Sequence, residues 1–169
     1  DPRYWETIDD LTRRLAAAFP HSEYIHVGAV DGETAQFEGG PERTFMKARG
    51  LRGSADVWGW LLARLRDIDA KYGKKTMAFE GVRRGAAAHA KVPKDVAFFA
   101  YQTWYYPADE MLADGYAVLN GAWRPLYTCG DYPAREIYAW NPRIVRHNAD
   151  DRIDILLPES DRLLGPLLS

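Results

Sequence analysis

The 169-residue chain predicts an α/β fold on a parallel sheet, and three observations carry that reading. Helical and strand patterns alternate with short connections, the signature of helices packed on a central sheet. The strand candidates are continuous apolar runs: Val96-Ala97-Phe98-Phe99-Ala100 is apolar on both faces, as a parallel sheet covered on both sides requires. Polar and aromatic residues gather just after the C-terminal ends of those strands, the end where β/α barrels place their chemistry.

The elements follow in order. Asp1-Pro2 reads as an N-cap with proline at the first helical position. Trp5, Ile8, Leu11, Leu15 and Phe19 then recur at helical spacing until Pro20 stops the helix. Tyr24 to Val30, β-branched and aromatic, predicts a strand, and Asp31 to Gly40 a polar loop. Pro41 to Arg49 predicts a short helix ended by Gly50. Ser54 is expected to cap a longer one, with Val57, Trp60, Leu61, Leu65 and Ile68 on one face and Gly73 as its stop. Lys75 to Glu80, Asp95 to Tyr101 and Tyr116 to Asn120 predict further strands, with a short helix from Pro107 to Asp114 before the last. The tail from Pro158, rich in leucine, starts another buried strand. No repeat, linker or composition shift divides the chain, which predicts one domain over residues 1–169, its crossovers right-handed.

Composition narrows the function classes. Hydrophobic residues make up 47% and aromatics 13%, which excludes a disordered protein. The net charge of -2, with both signs interspersed, presents no phosphate-binding face, so nucleic acid is not an expected partner. No apolar run approaches the roughly 20 residues of a membrane span, and Asp1-Pro2-Arg3 opens straight into a helical pattern with no leader signature. The single cysteine, Cys129, excludes an internal disulfide. His26, Asp31 and Glu33 lie close in sequence, but a metal needs three or four groups converging in space, so neither metal nor cofactor is expected.

The strand ends carry the chemistry. Asp31 and Glu33 follow the first strand, Phe79-Glu80 ends the second, and Tyr101-Gln102-Thr103-Trp104 ends the third. Trp123, Tyr127 and Cys129 follow the fourth. Aromatic platforms beside carboxylates suit a sugar, which offers apolar ring faces and hydroxyl edges. Glu80 reads as a loop acid, Asp109 and Glu110 as helix-start acids, and His89 as a loop or helix-end histidine.

Taken together, "FPHSEYIHVGA", "FMKARGL", "YGKKTMAFEGV", "VPKDVAFFAYQTW", "GYAVLNGAWRPLYTC", "EIYAWNP" and "RLLGPLLS" resemble, in order and spacing, the retaining β-N-acetylhexosaminidases of glycoside hydrolase family 20. The resemblance implies a partial TIM (β/α)8 barrel, running roughly from strand four to strand eight, the C-terminal half of a catalytic barrel. It also implies the substrate-assisted mechanism, an exception among retaining glycosidases. There the substrate's own 2-acetamido oxygen attacks the anomeric carbon, a glutamic acid protonates the leaving oxygen, and an adjacent aspartate orients the acetamido nitrogen. The implied partner is an N-acetylhexosamine-containing glycan.

By that resemblance His26 and Gly28 match the strand motif, Tyr127 the acetamido-binding tyrosine, and Trp104 or Tyr101 a pocket tryptophan. Trp123 joins them as a sugar-stacking candidate. The family's Asp-Glu pair falls on Val30-Asp31 without a gap, or on Asp31 and Glu33 with small insertions. Both alignments leave Asp31 on a catalytic position. Phe79 stands where the family has a pocket tryptophan, and Cys129 where it has a hydroxyl-binding aspartate. Three readings remain: a hexosaminidase-type hydrolase, a glycan-binding remnant that cleaves nothing, and a half-barrel that self-associates to cover its open edges.

Overall fold

A computed structural model describes residues 1–28, 40–81, 92–103, 106–127, 130–146 and 154–166. The described helices are α1 (Pro2–Ala18), α2 (Gly40–Ala48), α3 (Ser54–Lys71), α4 (Ala108–Ala113), α5 (Trp123–Leu126) and α6 (Ala134–Ala139). The strands are β1 (Tyr24–His26), β2 (Lys75–Phe79), β3 (Ala97–Ala100), β4 (Ala117–Asn120), β5 (Ile144–Arg146), β6 (Asp154–Leu156) and β7 (Leu163–Pro166).

Five strands form one sheet in the order β1-β2-β3-β4-β7, and every pairing in it is parallel. Neighbours in space are thus successive in sequence, save for a β5–β6 hairpin inserted before β7. This is a segment of a β/α barrel, and five strands do not close one. The expected parallel sheet is present; the antiparallel hairpin and the short α5 and α6 were not anticipated.

Alternation along the strands makes two faces. Ala78, Phe98 and Val118 lie in register and belong to the core that Trp58, Leu62, Met111 and Tyr116 complete. Phe79 and Phe99 pair on the opposite face. Val96 to Ala100 are at most 2% exposed, so β3 is covered on both sides, as its unbroken apolar run requires.

Local chemistry explains the boundaries. Asp1 does cap α1, its Oδ1 accepting the Arg3 N–H at 2.9 Å, with proline in the first turn. Only Thr12 of α1 is buried, however, and Leu11, Leu15 and Phe19 lie exposed. The end of α1 is secured by Lys74, whose ammonium donates to the carbonyls of Phe19, Pro20 and Ser22 at 2.8, 3.1 and 2.6 Å. Asp9 ties α1 to α3, accepting from Lys71 and from the Tyr72 hydroxyl.

Ser54 is not the cap of α3. Gly53 holds that position without a side-chain bond, and Ser54 is the first helical residue. Asp56, in the first turn, instead reaches back to the Arg52 N–H at 2.8 Å and to its guanidinium. The buried face of α3 also shifts: Val57, Leu65 and Ile68 are buried as expected, but Trp58 and Leu62 share the core, and Trp60 and Leu61 are only partly buried.

The first strand is shorter than its apolar run. β1 ends at His26, yet Val27 N–H still donates to Met77 O and Gly28 O accepts from Phe79 N–H, so the chain follows β2 for two more residues. Residues 29–30 lie outside the described residues.

Candidate active site

The C-terminal ends of the parallel strands carry a row of rings. The His26 imidazole meets Phe79 edge-on, centroids 4.3 Å apart. Phe79 meets Tyr101 at 5.4 Å, and Tyr101 stacks on Tyr127 at 6.3 Å. Tyr127 in turn stacks on Trp123 at 4.3 Å with 19° between the planes. Phe99 lies beneath, in edge contact with Phe79 and His26. Of the residues expected at the site, His26, Tyr101, Trp123 and Tyr127 are therefore brought together. Asp31, Glu33, Trp104, Cys129 and His89 lie outside the described residues.

Backbone bonds set this row. Each strand end is laced to the next: Glu80 N–H donates to Phe99 O, Gly121 N–H to Ala100 O, and Trp123 N–H to Tyr101 O. Tyr127 N–H then returns to Trp123 O, closing the turn that stacks the two rings. Gly121 is required by space. A Cβ there would lie 2.1 Å from the Phe99 ring.

Two polar residues that the sequence reading assigned no site role support the row. Glu80, read as a loop acid, sits one residue past β2 with no exposed surface, and its Oε1 accepts the Gln102 N–H at 3.1 Å. That bond steadies the exit from β3, where Thr103 is held at φ 54° and its hydroxyl donates to Gln102 O. Asn120, also fully buried, donates to Pro142 O and Ile144 O and accepts from Ala122 N–H. It thereby anchors the β4 exit to β5. The sequence signal for both was a polar residue ending an apolar strand, the same pattern an exposed loop residue makes.

His26 is tuned as a neutral ring. Gly28 N–H donates to its Nδ1 at 3.2 Å, which needs a lone pair there, and Gly28 reaches that geometry at φ 77°. Desolvation lowers the imidazole pKa below its ordinary 6.5, in the same direction. A neutral His26 is an apolar ring edge with an Nε2 donor, suited to a sugar hydroxyl. Asp109 and Glu110 fall in the first turn of α4 as expected. Among the described residues no three metal-ligating side chains converge, and no helix is long and apolar enough to cross a membrane.

No family model matches the chain, and no curated protein matches it in sequence. Solved structures do match in fold. The chain is similar to an exo-β-N-acetylglucosaminidase of glycoside hydrolase family 20 from Vibrio harveyi, solved with N-acetylglucosamine, at 21% identity and TM-score 0.66; the match covers 82% of this chain and 23% of that one. A chitobiase from Flavobacterium johnsoniae matches at 18% identity and TM-score 0.71, over 98% and 24% of the two chains. A β-N-acetylhexosaminidase from Bacteroides fragilis matches at 17% identity and TM-score 0.64, over 95% and 33%.

The class that the fold defines is thus the β/α barrel, present as a segment. Within that class the chain is similar in fold to part of these solved glucosaminidase, chitobiase and hexosaminidase structures, and it spans about a quarter to a third of their length.

Proposed function

We propose that the strand-end row binds a terminal N-acetyl-β-hexosaminide, and that the activity is the substrate-assisted hydrolysis of that sugar. The observation that carries the reading is the partly exposed Tyr127–Trp123 stack, backed by the buried Tyr101, at the C-terminal end of a parallel sheet, the end at which barrels bind substrate. Aromatic faces take the apolar side of a pyranose, and Tyr127 is the candidate partner for the acetamido group. The structural neighbours, among them a hexosaminidase solved with N-acetylglucosamine, support the same substrate class.

Asp31 and Glu33 are the candidate carboxylates. In the proposed mechanism one is the acid that protonates the leaving oxygen, a role served by a pKa raised toward neutrality. The other orients the acetamido nitrogen while its oxygen attacks the anomeric carbon. Glu80, a strand-end carboxylate among the described residues, is sealed from solvent and engaged with backbone, which fits support rather than proton delivery.

The test is hydrolysis of p-nitrophenyl N-acetyl-β-glucosaminide by the 169-residue chain, with calorimetric titration of N-acetylglucosamine alongside. Asp31→Asn and Glu33→Gln are expected to lose turnover by about 100-fold or more while sugar binding persists. Trp123→Ala is expected to weaken binding by about tenfold, the scale of a lost ring contact. Binding without turnover in the parent chain would establish the glycan-binding reading instead. Absence of both would remove the sugar from the account.

The sheet edges favour one further reading, self-association. Glu23 and Val27 bond to β2, so Tyr24 and His26 direct their backbone N–H groups away from the sheet. Leu11 and Leu15 are exposed on α1, the helix that leads into β1, as is Phe19 just past its end, and Leu164 is exposed on the other edge strand. A second copy pairing edge to edge would cover these groups.

A further inference from the structure

Trp123 and Tyr127, the partly exposed rings of the row, stand at the start and just past the end of α5, a single irregular turn. Its backbone bonds run from Leu126 N–H to Ala122 O and from Tyr127 N–H to Trp123 O, and Arg124 within it is extended at φ -110° and ψ 128°. A lone turn is marginal by itself, because several residues are ordered for each bond gained. The spacing of the two rings therefore needs support from outside the turn.

Arg124 supplies that support. In extended backbone successive side chains leave on opposite sides, so Arg124 departs opposite to Trp123. Its guanidinium grips the Glu136 carboxylate of α6: Nε donates to Oε2 at 3.2 Å, and Nη2 donates to Oε2 at 3.1 Å and to Oε1 at 3.3 Å. The two side chains are 39% and 30% exposed, so the pair is partly withdrawn from water. A forked pair fixes direction as well as distance, which a single contact does not. The same guanidinium lies 5.7 Å from the centre of the Tyr132 ring. Tyr132 packs on Gly130, where a Cβ would lie 2.1 Å from that ring, and Gly130 N–H donates to Tyr127 O.

The helix that carries Glu136 is itself fixed. Trp140, which ends α6, donates its indole N–H to Ile144 O at 2.9 Å, and Asn120, at the end of β4, donates to the same oxygen at 3.1 Å. β4 leads into α5, so these bonds close a circuit. It runs from β4 to Ile144, from Ile144 to α6, and from α6 through Glu136 and Arg124 to the turn that bears the rings. The Arg124–Glu136 pair is the step of that circuit that reaches the stack.

We propose, resting on the sugar reading of the ring row, that Arg124 and Glu136 are positioning residues of that site: their forked pair holds α5 against α6 and sets the Trp123–Tyr127 stack that receives the sugar. Both act through the rings and leave the sugar itself untouched.

Two readouts on the 169-residue chain test this. The geometry of the stack is read as the near-ultraviolet circular dichroism lost on Trp123→Phe, measured in the parent and again in each variant background. Sugar affinity is read by calorimetric titration of N-acetylglucosamine. Arg124→Gln and Glu136→Gln are each expected to lose most of the stack signal and to bind about fivefold more weakly, the double variant no more weakly than either, because one shared contact is lost only once. Unfolding midpoints are expected to stay within about 3 °C of the parent's, since a half-exposed pair adds little to global stability.

Three outcomes would overturn the pairing: a folded variant with the parent's stack signal and affinity, losses that add in the double variant, or loss of the fold in both single variants. A parent chain that binds no N-acetylglucosamine would instead refute the sugar reading beneath it. The stack signal would then decide by itself whether the pair sets the rings.

Discussion

At the scale of single residues the ring row depends on one missing methyl group. Gly121 follows the last residue of β4, and any Cβ there would enter the Phe99 ring, itself 2% exposed and packed under Phe79 and His26. Overpacking a tight site costs about 1–3 kcal/mol, and Phe99 has no open space to retreat to. Gly121→Ala is therefore expected to lower stability by about 2 kcal/mol and to weaken N-acetylglucosamine binding as well, because the displaced ring moves Phe79. Thermal denaturation beside a sugar titration checks this; a variant as stable as its parent would contradict the packing described. The residues legible from sequence were those whose type suffices, the aromatics that follow apolar strands. Glu80 and Asn120 were not legible as supports, because an acid or amide ending a strand is written alike whether it is sealed or exposed. Burial is decided by chain brought from elsewhere: Gln102 for one, Pro142 and Ile144 for the other.

Elements are joined at the opposite end of the sheet by buried polar groups, and one of them works against the fold at neutral pH. Asp69, near the C-terminal end of α3, is 1% exposed and accepts the Thr76 hydroxyl at 2.5 Å. Desolvation pushes its pKa up to about 6 from 3.8, only partly opposed by that hydroxyl. The negative end of the helix dipole acts in the same direction. The folded state thus holds its proton through a window where the unfolded chain has released it. Stability from this group is complete below about pH 4 and falls as pH rises toward 6. Asp69→Asn keeps an acceptor for Thr76 and removes the charge. It is expected to match the parent at pH 4 and to exceed it by about 1–2 kcal/mol at pH 7.5 in urea denaturation. A variant less stable at pH 7.5 would show the carboxylate to be favourable. The long helices were readable because periodicity accumulates over many residues: α1 and α3 lie where the pattern placed them, while the four residues of β3 stood out by their unbroken apolar run. The hairpin strands β5 and β6 have three residues each, too few for any period to show. The α3 cap was misplaced because a serine is the usual choice and Asp56 reaches back from the first turn instead.

For the molecule as a whole, the parallel sheet was legible because strands buried on both faces must be apolar throughout. What covers its edges was not, since an edge strand and a central one share that composition. The proposed pairing of copies makes a clear expectation. At tens of micromolar the chain should scatter light as a dimer, and Tyr24→Pro should return it to a monomer with unchanged circular dichroism. Proline removes the backbone N–H that points away from β2, the position where an edge strand tolerates it. Tyr24→Ala, which loses the same ring under Lys75 but keeps that N–H, is the control expected to stay dimeric. A monomeric parent would dismiss edge pairing.

The order of the sheet also sets an order of assembly. β1, β2 and β3 each pair with the next strand in the chain, so the growing sheet adds one neighbour at a time as the polypeptide lengthens. β7 breaks that rhythm. It must return to β4 after the whole β5–β6 hairpin has been made, closing a longer loop for its contacts. Pairing among β1 to β4 can therefore precede the docking of β7, leaving β4 unpaired on one side in the interval. The interval before β7 docks is when the nascent chain is most open to a chaperone.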